Sequence, residues 1–151
     1  MGLWLLETDA NVVELILRCT LAVVMFPHGA QKVLGWFGGQ GFKPTLQFFT
    51  SAGIPPHLAL LALAAEFLGP LGLAVGLLTR VAAFGIFCVM LVAIITHWPH
   101  GFFMNWYGNQ KSEGFEYHLL AIGIALALII MGGGAWSLDR ALSTATPYLL
   151  P

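Results

Sequence analysis

The chain has 151 residues, of which 58% are hydrophobic and only 9% charged, with a formal net charge of −1 and a mean hydropathy of +0.84. Soluble domains carry about 25% charged residues. A soluble chain of this length could not cover so much apolar surface, so the composition indicates a protein of the lipid bilayer. The nearly neutral charge gives no electrostatic support for binding nucleic acid. Cys19 and Cys88 form no C-x-x-C pattern, which argues against a thiol–disulfide exchange enzyme.

Four apolar runs follow one another along the chain. They predict membrane-spanning helices over residues 12–34, 57–78, 81–98 and 116–132, each near the ~20 residues that cross a ~30 Å hydrocarbon core. The first run follows neither a basic segment nor a small-residue cleavage site, so we expect it to be retained. Thr79 and Arg80 are the whole predicted link between the second and third spans, which makes these helices antiparallel neighbours. We therefore predict one domain over residues 1–151, all-α, folded as an integral membrane four-helix bundle.

The first span ends in an unusual polar face. His28, Gln31 and Lys32 have i, i+3, i+4 spacing, so they share one side of a helix. Unpaired polar groups facing acyl chains cost several kcal/mol each. This face is therefore expected to look inward, towards water or a partner group.

An even number of spans places both termini on one side of the membrane and the two long loops, 35–56 and 99–115, on the other. We call these the terminal end and the loop end of the bundle. A short interfacial helix is expected over residues 43–50, within the first loop. Counting spans puts all five histidines at the loop end: His28, His57, His97, His100 and His118. The loops are rich in aromatic residues, which is typical of a headgroup-level belt or of loops that cap a ligand cavity.

Glu66 is the most informative single residue, because it lies in the second span near the bilayer midplane. A carboxylate there takes up a proton or requires a cation, and it acts either in proton transfer and ligand contact or as an interhelical hydrogen-bond partner. Lys32 can extend to the headgroups, hold an anionic ligand, or pair with Glu116. Glu14 and Arg18 have the spacing of a local pair, and Arg80 is expected to extend to the membrane surface.

His28, His97 and His118 begin or end different spans at the loop end. Histidines that face one another in a four-helix bundle can ligate haem or a metal. Neutral imidazoles are also ordinary hydrogen-bond partners between helices. The sequence leaves both interpretations open.

The order of short motifs resembles the DoxX family of small four-helix membrane proteins. The resemblance covers about residues 15–142, and the motifs that carry it are His28-Gly29-x-x-Lys32, Gly35-Trp36-Phe37-Gly38-Gly39, Gly53-Ile54-Pro55, Glu66-x-x-Gly69, Gly76-Leu77-Leu78-Thr79-Arg80, His97-x-x-x-Gly101-Phe102-Phe103, Glu116-Tyr117 and Trp136-Ser137-Leu138-Asp139-Arg140. His118 departs from the family pattern, where an apolar residue or proline often follows Glu-Tyr. Any role for His118 is therefore particular to this chain.

The resemblance implies an oxidoreductase-related protein, with relatives linked to quinone-coupled thiosulfate oxidation and to quinone or catechol stress. It also implies a bacterial cytoplasmic (inner) membrane with both termini in the cytoplasm. Charge alone does not decide the orientation, because basic residues are balanced between the two ends.

The leading hypothesis is a redox-associated membrane protein that binds a quinone or a similar small hydrophobic ligand inside the bundle. Glu66 and His97 are the candidate catalytic, proton-handling residues; the candidate cofactor-binding residues are His28, Gln31, Lys32, Glu116 and His118. Electrons would come from a membrane or periplasmic redox partner, or from a bound haem. The alternatives are a non-catalytic subunit or assembly factor of a larger membrane complex, and a haem-binding electron-transfer protein.

Overall fold

The computed structural model describes residues 3–145, which are all-α. Its helices are α1 (Val12–Val33), α2 (Phe42–Ser51), α3 (Pro56–Val75), α4 (Thr79–His97), α5 (Glu116–Met131) and α6 (Leu138–Ala145), with 3-10 turns at Leu3–Leu5 and Trp98–His100. Three stretches are long and apolar enough to cross a membrane, namely α1, α3, and α4 with the turn that follows it. Helix α5 is apolar but shorter, with 16 residues. The predicted fold class, a helical membrane bundle, is confirmed.

The spanning helices pack as a ring: α1 contacts α3, α3 contacts α4, α4 contacts α5, and α5 returns to α1. The core between them consists of small and aliphatic side chains, including Leu21, Met25, Leu73, Ile86 and Leu128. Large apolar side chains such as Ile95 and Ile130 point outward, as expected where the solvent is lipid. The packing of α1 on α3 determines where the polar residues of the two helices meet.

Gly29 lies at a close contact between the backbones of α1 and α3. A Cβ at this position would overlap the carbonyl oxygen of Glu66 and lie 2.8 Å from the Cα of Phe67. Only glycine fits there, and small residues at helix contacts allow membrane helices to approach closely. This contact places the last two turns of α1 directly beside the middle of α3.

The hairpin between α3 and α4 lies earlier in the chain than predicted. Helix α3 ends at Val75, the next residue Gly76 has the left-handed φ of 67°, and α4 begins at Thr79. Asp139, at the start of α6, caps α4 by accepting hydrogen bonds from Leu78 N (2.6 Å) and Thr79 N (2.8 Å). The predicted link at residues 79–80 was wrong because Thr79 and Arg80 belong to the first turn of α4, where a distant carboxylate satisfies the free N–H groups.

The arginines at the terminal end join helices instead of reaching for the membrane surface. Arg18 is fully buried and donates to the carbonyl oxygens of Leu73, Ala74, Ala135 and Trp136. Within residues 3–145 it forms no ion pair with Glu14.

Arg80 is likewise buried, and it donates to the carbonyl oxygens of Ile129 and Ile130 at the end of α5 and to that of Glu7. Both expectations for the arginines, a local pair and an extended side chain, were therefore wrong. The free carbonyls at helix C-termini compete for these guanidinium groups.

Candidate functional site

The loop end contains an ion pair between Lys32 of α1 and Glu66 of α3. The Glu66 side chain is 3% exposed, whereas that of Lys32 is 33% exposed. Their meeting follows from the Gly29 contact, because Lys32 lies three residues beyond Gly29 and its long side chain reaches back to α3. A buried carboxylate needs such a partner, since an unpaired buried charge is strongly destabilising. Lys32 Nζ also lies 5.9 Å from the ring centroid of Phe49 on α2.

His28 and Tyr117 extend this polar region from α1 to α5. Their ring centroids are 6.1 Å apart. His28 is also close enough to Lys32 and Glu66 for both charges to act on its ring. The Tyr117 hydroxyl donates to the sulfur of Met25 at 3.2 Å. A thioether is a weak acceptor, so this hydroxyl remains available for a better acceptor.

A histidine pair continues the polar region from α5 to α4. The rings of His118 and His97 have centroids 4.8 Å apart and planes inclined by 33°. His118 is buried and lies 5.4 Å from the ring of Tyr117. His97 Nδ1 lies 2.8 Å from the carbonyl oxygen of Ala93. A carbonyl oxygen can only accept a hydrogen bond, so Nδ1 carries the proton and Nε2 of the neutral ring is unprotonated.

His100, which is exposed, lies 6.1 Å from His97 and leads towards the surface of the loop end. Polar side chains therefore extend across the loop end of the bundle, from α3 to α4: Glu66, Lys32, His28, Tyr117, His118 and His97. We call these six residues the loop-end cluster.

Two of the predicted site residues, Gln31 and Glu116, hold the long loops. The Gln31 amide donates to the carbonyl oxygen of Phe37 at 3.1 Å, and the Glu116 carboxylate accepts from Met104 N at 3.1 Å. The alternative in which Lys32 pairs with Glu116 was wrong, because its partner is Glu66. Gln31 and Glu116 fix the first and second long loops to the bundle next to the loop-end cluster.

Sequence reasoning missed Tyr117 and Met25 as members of this region. Tyr117 was recognised only as part of the Glu116-Tyr117 motif, without a role of its own. Met25 lies three residues before His28, so helical spacing could have placed it on the same face.

The His97–His118 pair does not fit a bis-histidine haem. A centroid separation of 4.8 Å is that of aromatic rings in direct contact, so no porphyrin plane fits between His97 and His118 as they stand. Within residues 3–145, no three histidine, cysteine, aspartate or glutamate side chains are grouped so that they could hold a metal ion. The cluster instead presents hydrogen-bond donors beside an ion pair, an arrangement suited to an organic ligand with oxygen acceptors.

The fold and the cluster define a multi-pass helical membrane protein with a partly buried ion pair and a histidine pair at one end. The DoxX family model matches residues 13–98, which is more than half of the chain. The chain belongs to the DoxX family, and the resemblance in its motifs is confirmed.

Two known proteins are similar to this chain over most of their length. One is named "Putative oxidoreductase CatD", from Bacillus subtilis (strain 168), and is 35% identical over 114 residues, which cover 76% of either chain. The other is named "Inner membrane protein YqjF", from Escherichia coli (strain K12), and is 30% identical over 134 residues, 88% of this chain and 94% of the relative. No solved structure matches the chain significantly.

Proposed function

We propose that this protein is a membrane oxidoreductase, or the membrane component of one, that binds a quinone or a closely similar ligand at the loop-end cluster. The observation that carries the proposal is the ion pair between the buried Glu66 and the partly exposed Lys32, set beside the His28 and Tyr117 rings inside a membrane-spanning bundle. The oxidoreductase name of the Bacillus subtilis relative supports the same class of activity.

The donors of the loop-end cluster suit a quinone, whose polar atoms are two carbonyl oxygens that only accept. The Tyr117 hydroxyl is bonded only to a thioether. The Lys32 side chain is a third exposed, with its ammonium group beside Glu66. Both groups can donate to a ligand oxygen without leaving a stronger partner unsatisfied.

A bound quinone would supply the redox chemistry by accepting two electrons and two protons. Glu66 and His97 are the protein groups proposed to hold and pass those protons. Glu66 is buried against Lys32, and Nε2 of the His97 ring is the nitrogen that can accept a proton, because Nδ1 is held by the carbonyl oxygen of Ala93. His118 and His28 lie between these two residues at the loop end of the bundle. Lys32 and Tyr117 orient the ligand.

The proposal includes a redox partner and an orientation. We infer that a membrane or periplasmic redox protein supplies the electrons. We also infer that both termini lie in the cytoplasm of a bacterium, so that the loop end opens on the outer side of the inner membrane. The name of the Escherichia coli relative supports the inner-membrane location.

The test is to purify the protein in a mild detergent, extract its lipids, quantify quinone per protein chain, and record the visible spectrum. Wild type is expected to retain quinone, whereas Glu66→Gln and Lys32→Gln lose most of it. Glu113→Gln and Lys43→Gln are matched controls, because both residues lie outside the spanning helices. Equal quinone content in all five proteins refutes the site. A Soret band favours the haem-protein alternative. A stably co-purified membrane protein without quinone favours the subunit alternative.

A further inference from the structure

An apolar groove of about 280 Å³ lies on the outer side of the seam between α1 and α3. It is lined by Val33 at the end of α1, by Phe42 at the start of α2, and by a face of α3 that begins at Leu60 and ends at Leu68. All of its lining residues are apolar. Leu60 and Leu68 are 45% and 60% exposed, so the groove opens on the surface that faces lipid.

The groove adjoins the ion pair of the loop-end cluster. Val33 and Phe67, which line the groove, directly follow Lys32 and Glu66 in the chain. Helix α2 covers both features, because Phe42 lines the groove while Phe49 lies 5.9 Å from the Lys32 ammonium. A ligand with a polar head and an apolar chain would therefore meet matching chemistry in two neighbouring places.

We propose that this groove binds the isoprenoid or alkyl chain of the ligand whose head group occupies the loop-end cluster, and that the ligand enters sideways from the bilayer. The inference rests on the proposed function and adds a substrate class to it: long-chain quinones in preference to the bare head group.

The lining favours this occupant over others. A polar ligand would find no hydrogen-bond partner among the side chains of the groove. A peptide would leave backbone groups unsatisfied at this depth, where no water is present to bond them. An acyl chain of bulk phospholipid has the same chemistry as a ligand chain, so the experiment must distinguish the two.

The full-length protein in phosphatidylcholine nanodiscs is titrated with two quinones that share a head group, one without a chain and one with a ten-carbon chain. Each affinity is referred to the quinone concentration in the lipid phase. Leu60→Trp fills the groove. Leu61→Trp is the matched control, since Leu61 is the next residue on the same lipid-facing helix but does not line the groove.

Wild type and Leu61→Trp are expected to bind the long-chain quinone more tightly than the short one. Leu60→Trp is expected to weaken long-chain binding about tenfold, because the indole occupies space in the groove that the chain needs, and to leave short-chain binding unchanged.

Equal binding of the two quinones by wild type means that bulk lipid occupies the groove, and it overturns the inference while the head-group site stands. The inference also fails, with the site again intact, if Leu60→Trp and Leu61→Trp behave alike. If wild type binds neither quinone, the proposed function itself fails, and this inference falls with it.

Discussion

Breaking the Lys32–Glu66 ion pair should cost more than removing it altogether. In Lys32→Met the carboxylate of Glu66, which is 3% exposed, loses its cation. Removing one partner of a buried pair costs about 3–5 kcal/mol. We expect about 3 kcal/mol, at the lower end, because Lys32 itself is a third exposed and therefore partly solvated.

The double variant Lys32→Met/Glu66→Gln should recover part of this loss, since no unpaired charge remains at the seam between α1 and α3. Unfolding free energies of wild type, the two single variants and the double variant, measured by steric trapping in bicelles, give a double-mutant cycle. We expect a coupling energy of at least about 1 kcal/mol, with the double variant more stable than Lys32→Met. Lys43→Met controls for the general effect of losing a lysine and should change stability by less than about 0.5 kcal/mol. Additive single effects, or a neutral Lys32→Met, would refute the buried ion pair.

Three further predictions concern packing, capping and ligand contact. Gly29→Ala should separate α1 from α3 and lower the unfolding free energy by about 2 kcal/mol. The control Gly123→Ala, whose added methyl group meets no atom within 4 Å, should be neutral or slightly stabilising. Equal effects of the two substitutions in the same unfolding assay would contradict the helix contact. Asp139→Ala removes the two hydrogen bonds that cap α4 and should cost about 1–2 kcal/mol, while Asp9→Ala at an exposed position should cost little; a neutral Asp139→Ala would show that the cap is unimportant. Tyr117→Phe removes only a hydroxyl bonded to a thioether, so the unfolding free energy should change by less than about 1 kcal/mol. The quinone content of the purified protein should nevertheless fall several-fold. Unchanged quinone content would show that Tyr117 is not part of the binding site.

The spanning helices could be predicted from hydropathy because lipid requires nearly continuous apolar runs of a known length. The structure begins α1 at Val12, as predicted, and ends it at Val33, one residue before the expected boundary. The hairpin was misplaced because an apolar run does not show where a glycine leaves the helix. Gly76 ends α3 within a stretch that hydropathy alone extends to Leu78.

The partners of the charged residues were harder to predict than the spans. Glu66 and Lys32 belong to different helices, and only the packing at Gly29 brings them together. Arg18 was expected to pair locally with Glu14, but it bonds carbonyl groups that lie 55 to 118 residues away in the chain. Local spacing tells which residues share a helix face, but it does not show which distant backbone groups are left unsatisfied at the helix ends.

Quinone affinity, measured for delipidated wild type and Lys32→Gln in detergent solution, shows directly whether the loop-end cluster binds the ligand. We expect saturable binding of one quinone per wild-type chain, and binding at least about tenfold weaker in Lys32→Gln, since a hydrogen bond to a charged group contributes roughly 1.5–3 kcal/mol. Lys43→Gln should bind like wild type. Equal affinities in Lys32→Gln and wild type, with both proteins folded, would show that the loop-end cluster is not the ligand site.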